Sequence, residues 1–108
     1  MEKIINLGDF RTPKSIVLSG RPKGETIRAR LRLDREDDDP QPVKILVPAE
    51  IVSLNSSFFL GLFDASVKKL GDGFEKKYVF ECTPIIRADV EKGRREALNE
   101  SNPLIAKR

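Results

Sequence analysis

The chain has 108 residues, 39% apolar and 34% charged, with a formal net charge of +3, a composition that suits one soluble globular domain and excludes a disordered or membrane-embedded chain. No apolar run approaches the roughly 20 residues that cross a bilayer, and Met1 to Asn6 lacks the basic start and apolar centre of a signal peptide. The single cysteine, Cys82, cannot form an internal disulfide, which favours a cytosolic location, and the absence of histidine removes the commonest general base, the Ser-His and Cys-His nucleophile pairs and the usual zinc ligands.

Lys3 to Leu7 reads as a short strand ended by Gly8-Asp9, with Phe10 tucked against the sheet. Arg11-Thr12-Pro13-Lys14 reads as a turn and Ser15 to Leu18 as a second strand, so a β-hairpin is the economical pairing. Ser19 to Gly24 carries two glycines and two bases but lacks the spacing of a nucleotide-binding loop, and reads as a surface loop.

In Glu25 to Asp34 the local rules disagree. Ile27, Ala29, Leu31 and Leu33 alternate with Arg28, Arg30 and Arg32, the period of a half-buried strand with an arginine face. The residue types are nevertheless strong helix formers, and Ile27 and Leu31 are one helical turn apart. Periodicity alone favours strand. The next stretch divides the charge of the molecule, because residues 34 to 39 sum to −4 and the rest of the chain to +7. The acidic run leads into Pro40-Gln41-Pro42 and reads as a solvated loop, without the ligand offsets or glycine of a calcium site.

Val43 to Val47 has little polar interruption and is expected in the middle of a sheet. A connection over Pro48 to Leu54 leads to the most apolar stretch in the chain. Phe59, Phe63, Ser66 and Leu70 fall on one helical stripe flanked by Leu62 and Val67, with Asp64, Ala65 and Lys68 opposite. Asn55, Ser56 and Ser57 supply capping oxygens for the start of this helix, and Gly71 is a natural left-handed stop. Lys77 to Cys82 reads as a further strand, with Cys82 a small buried residue without an activating base nearby in sequence. After Thr83-Pro84, Ile86, Val90, Ala97 and Leu98 define the apolar side of a helix running to about Asn99, and the remaining residues read as a tail.

Strands alternating with helices from residue 43 onward point to βαβ units. A strand, a hydrophobic connection and then Asn55-Ser56-Ser57-Phe58 opening a long apolar helix resembles the STAS domain of bacterial anti-sigma-factor antagonists, in which Asp-Ser-Ser/Thr-Gly stands at that junction. The closer resemblance is to the STAS-like family of uncharacterised bacterial proteins. There an upstream Gly-Glu-x-Phe/Ile-Arg segment matches Gly24-Glu25-Thr26-Ile27-Arg28, and a Ser-Ser-Phe-Leu-like helix start matches Ser56-Ser57-Phe58-Phe59; the likeness covers residues 10 to 98. It implies one α/β STAS-like domain over residues 1–98, with a mixed four- to five-stranded sheet and helices mainly on one face, followed by a tail over 99–108. It also implies that Glu25 to Asp34 is helical.

The resemblance implies a non-catalytic, cytoplasmic regulatory module, without cofactor or metal, that docks another protein of the kinase-like ATPase or regulator class through Asn55, Ser56, Ser57 and Phe58. In the antagonists the first hydroxyl residue of the motif is phosphorylated, and Ser56 matches it. Asn55 stands where the motif is acidic and Phe58 where it has glycine. The alternative is a phosphate or nucleic-acid binding domain using Arg21, Lys23, Arg28, Arg30 and Arg32, which the absence of an aromatic-rich basic face disfavours.

Overall fold

The expected hairpin does not form. In the computed structural model, which describes residues 3–11 and 15–100, β1 (Lys3–Asn6) pairs in parallel with β3 (Val43–Leu46), and β2 (Val17–Leu18) pairs in parallel with β4 (Ser53–Leu54). A 3-10 turn at Leu7–Phe10 separates β1 from β2. Its start is fixed by the Asn6 side chain, which accepts from the Gly8 N–H at 2.8 Å, and by Leu7, which is fully buried. Phe10 is half-buried against the core, as expected. Of the turn expected over residues 11 to 14, Thr12, Pro13 and Lys14 lie outside the described residues.

The stretch expected to be a loop before residue 25 opens a helix instead. α1 (Arg21–Leu31) starts beyond Gly20, and Pro22 fits its first turn because the missing N–H has no intrahelical partner to lose. Gly24 and Ile27 are buried, and Leu31 packs against the core. Arg32 then adopts a left-handed conformation (φ 54°, ψ 48°), uncommon for a side chain of this kind. It shifts the helical phase so that Leu33, the first residue of the short helix α2 (Leu33–Glu36), turns inward and is buried.

α3 (Ser56–Leu70) has the bounds expected, with Gly71 at φ 54° closing it. A 3-10 turn (Gly71–Gly73) and the short helix α4 (Phe74–Lys77) lead into β5 (Tyr78–Glu81), which pairs with β3 in parallel. α5 (Pro84–Glu100) completes the described chain, and Leu98, expected on its apolar side, is 38% exposed. The tail residues beyond Glu100 lie outside the described residues.

The fold is a compact α/β arrangement with two small parallel sheets, ordered β1-β3-β5 and β2-β4. The described strands all pair in parallel, where a mixed sheet was expected. Val43, Ile45, Tyr78 and Phe80 point toward α3 and are buried, while Lys44, Leu46, Val79 and Glu81 alternate to the other face. Phe63 of α3 lies at the centre of the core, with ring centroids 5.0 Å from Tyr78, 5.4 Å from Phe74 and 5.7 Å from Phe80. α1 lies directly against α3 because both carry glycine at the contact. A methyl on Gly24 would strike the Phe58 carbonyl oxygen, and one on Gly61 the Arg21 carbonyl oxygen.

Candidate functional site

The parallel strands β2 and β4 deliver two helix N-termini to one corner. β2 leads through Ser19-Gly20 into α1, β4 leads directly into α3, and the Asn55 N–H donates to the Leu18 carbonyl at 2.8 Å. Asn55 is extended and caps α3: its Oδ1 accepts from the Ser57 N–H at 2.8 Å and from the Ser57 hydroxyl at 2.7 Å. The cap is therefore Asn55 alone among the three candidates, because the carboxamide reaches the second residue of the helix while the Ser56 hydroxyl has no hydrogen-bond partner among the described residues. Ser56 and Ser57 are half-buried and Asn55 is exposed. Phe58 is fully buried, so it supports the corner from beneath and does not present a contact surface.

Beside the corner, the register Val17↔Ser53 continues backward to set Ile16 next to Val52, and the Val52 N–H donates to the Ile16 carbonyl at 2.8 Å. Both side chains lie on the surface, 51% and 48% exposed. α5 closes the other side of β4, where Asp89 Oδ2 accepts from the Leu54 N–H at 2.8 Å. Ile85, one helical turn before Asp89, is exposed as well. Neither α1 nor α3 has an acidic residue in its first turn, and Arg21 and Lys23 add positive charge to that of the helix ends.

The five bases proposed for phosphate binding do not form one surface. On a helix, residues two apart point about 200° away from each other, so Arg30 lies on the side opposite Arg28, and Arg32 has left the helix at its left-handed cap. Arg28 turns inward. Its Nη2 donates to Asp34 Oδ1 at 2.6 Å and Asp37 Oδ2 at 2.8 Å, and its Nη1 to the Leu62 carbonyl at 2.9 Å and Ser66 Oγ at 2.8 Å. Burial alone would lower the pKa of the guanidinium, but its bonds to the two carboxylates outweigh that and raise it. Arg30 lies over the Phe10 ring, 5.7 Å from its centroid, and Arg32 occupies the left-handed turn.

The acidic run, expected to be solvated, is the centre of a partly buried polar network. Asp37 is only 5% exposed, and besides Arg28 it accepts from Ser66 Oγ at 2.7 Å and the Tyr78 hydroxyl at 2.6 Å. Glu36 and Asp39 reach across to Lys3 at 2.9 and 2.8 Å, and Lys77 donates to Glu36 at 3.0 Å and to the Asp39 and Gln41 carbonyls. Burial works against the charged form of Glu36, but the hydrogen bonds and charges of Lys3 and Lys77 hold its carboxyl below its ordinary value. The bond from Lys3 lowers Asp39 in the same way. These acids tie together the ends of β1, β5 and α1, a structural task invisible in composition. The signal that could have found them is Ser66, a hydroxyl on the apolar stripe of α3, since a buried polar group requires a partner.

Cys82 is half-buried, and burial pushes its thiol pKa up, away from the reactive thiolate. Among the described residues no helix is long and apolar enough to cross a membrane, and no group of three or more carboxylate or thiolate side chains is placed to hold a metal ion. No family model, curated protein or solved structure matches the chain.

Proposed function

We propose that this chain is a non-catalytic regulatory module that binds another protein through the corner at the start of α3, with Asn55, Ser56 and Ser57 at the contact and Ile16, Val17 and Val52 as its apolar anchors. The observation that carries the reading is the pairing of Ile16 with Val52, two residues with half-exposed aliphatic side chains whose backbones are bonded at 2.8 Å, beside a helix start whose Ser56 hydroxyl has no partner among the described residues. Apolar side chains next to polar groups with open bonding capacity suit recognition of a protein surface. The chain order of strand, Asn55-Ser56-Ser57-Phe58 and apolar helix supports the STAS-like assignment, as does the helical state of the segment containing Gly24-Glu25-Thr26-Ile27-Arg28. A phosphate on Ser56 would add about −1.5 to −2 charges to this corner, which alters partner affinity without repacking the core.

Differential capture from native lysate tests the reading. Wild type and Ser56→Ala retain the same partner, whereas Ser56→Asp and Val52→Asp lose it, since each sets a carboxylate in the contact while the fold stays intact by circular dichroism. An unchanged set of captured proteins for Ser56→Asp and Val52→Asp would sink the reading.

A further inference from the structure

β5 is an edge strand: it pairs with β3, and among the described residues no strand takes its other side. The Val47 N–H donates to the Glu81 carbonyl at 2.9 Å, so Glu81 and Val79 direct their backbone groups at β3, and Tyr78 and Phe80 direct theirs outward. The Tyr78 N–H is bonded to the Phe74 carbonyl, and the Phe80 carbonyl accepts from Arg87 Nη2 at 2.7 Å. Among the described residues the Tyr78 carbonyl and the Phe80 N–H have no partner, which leaves an acceptor and a donor on the same edge. Beside them, between β5 and α5, lies a groove of about 150 Å³ floored by Phe74, Phe80 and Val90, with Arg87, Glu75 and Glu91 at its mouth. That is the space of about five waters at about 30 Å³ each, and room for one aliphatic or aromatic side chain.

We propose that this edge takes an extended segment of a partner protein as an added strand, with one apolar side chain in the groove under α5 and an acidic side chain against Arg87. The outward backbone groups of Tyr78 and Phe80 select extended chain over helix, as in other strand-addition sites. The groove volume selects a single apolar side chain. Charge selects the acid: Glu75 and Glu91 are both paired with Arg94, at 3.0 and 3.3 Å, whereas Arg87 makes no ion pair among the described residues and keeps donors beyond the one given to Phe80. This surface is separate from the Ser56 corner, and the two stand or fall independently.

Random seven-residue peptides displayed on phage and selected on the intact chain test the proposal, followed by synthesis of the selected peptides, affinity by fluorescence anisotropy and amide exchange by NMR. The selected peptides carry apolar residues at alternate positions and at least one Asp or Glu, and their binding slows exchange of the Phe80 amide. Arg87→Glu weakens them by about tenfold or more, Arg87→Lys by much less, and Ser56→Asp leaves them unchanged. Arg87 is exposed, so these variants keep the fold. Three results would overturn the proposal: no selected peptide with that pattern, peptides that protect amides near Ser56 and leave Phe80 exchanging freely, or protection of Phe80 in the free protein that rises with its concentration, which assigns the edge to a second copy.

Discussion

Arg28 Nη2 stands 2.8 Å from Asp37 Oδ2 across the left-handed turn at Arg32, and this pair lets an acidic run lie against the core. The Asp37 side chain is 1% exposed, so removing Arg28 strands a charge where water cannot solvate it. We expect Arg28→Ala to cost about 3–5 kcal/mol, as for other broken buried pairs. Arg35→Ala, on the exposed side of α2, should change stability by no more than about 0.5 kcal/mol. Urea unfolding of the two variants separates them, and comparable losses would show that Arg28 does not hold Asp37.

The contact between α1 and α3 depends on the absence of two side chains. Gly24 faces the Phe58 carbonyl and Gly61 faces that of Arg21, and in both places the obstructing atom is backbone, which cannot rotate away. Alanine is the better helix former by about 1 kcal/mol, so on a free helix each substitution would stabilise. Here Gly24→Ala and Gly61→Ala should each destabilise by about 1–3 kcal/mol or more, since overpacking forces the helices apart. Denaturant midpoints decide the sign, and a gain in stability for either variant would mean that the helices are less closely packed than this.

Tyr78 makes stability depend on alkaline pH. Burial first, then the bond to Asp37 and the charge of that carboxylate, push its hydroxyl well above the ordinary value of 10. The raised group contributes its stability in full below the unfolded value and loses it as pH rises: above about pH 10 the phenol ionises in the unfolded chain while staying protonated in the folded one. The wild type should therefore lose about 1.4 kcal/mol per pH unit more than Tyr78→Phe in that range. At neutral pH the same variant should cost about 1.5–3 kcal/mol for the lost bond to a charged acceptor. Urea unfolding at a series of pH values measures both, and parallel pH profiles would rule out the linkage.

What could be read from the sequence was local. α3 is bounded by Asn55 and Gly71, residue types that act on their own neighbours, and both ends fall where expected. The segment around Ile27 was ambiguous because its apolar alternation is cut by the left-handed Arg32, which lets Ile27 and Leu33 both face inward from two short helices. Strand partners were not legible, since the pairing of β1 with β3 and of β2 with β4 is made across long stretches of chain. The acidic run was misread for the same reason: Lys3, Lys77, Arg28, Ser66 and Tyr78 reach it from five other elements. At the corner, Asn55 to Ser57 could be singled out from sequence, but the Ile16 and Val52 pair that gives them an apolar flank could not.

Asn55 and Ser56 are adjacent, yet only one of them holds the helix. Asn55 Oδ1 accepts from the Ser57 N–H at 2.8 Å, satisfying a donor that has no partner within α3, so Asn55→Ala should cost about 1 kcal/mol. Ser56 Oγ has no partner to lose among the described residues, and alanine is the better helix former. Ser56→Ala should therefore be neutral or slightly stabilising, by no more than about 0.5 kcal/mol. Thermal unfolding of the two single variants measures the contrast, and equal destabilisation would mean that both residues share the cap. With the contrast as expected, Ser56→Ala changes the surface of the corner without changing the helix beneath it. Retention of the partner by that variant, against its loss by Ser56→Asp, then reports the charge added at the contact and not a change in the helix.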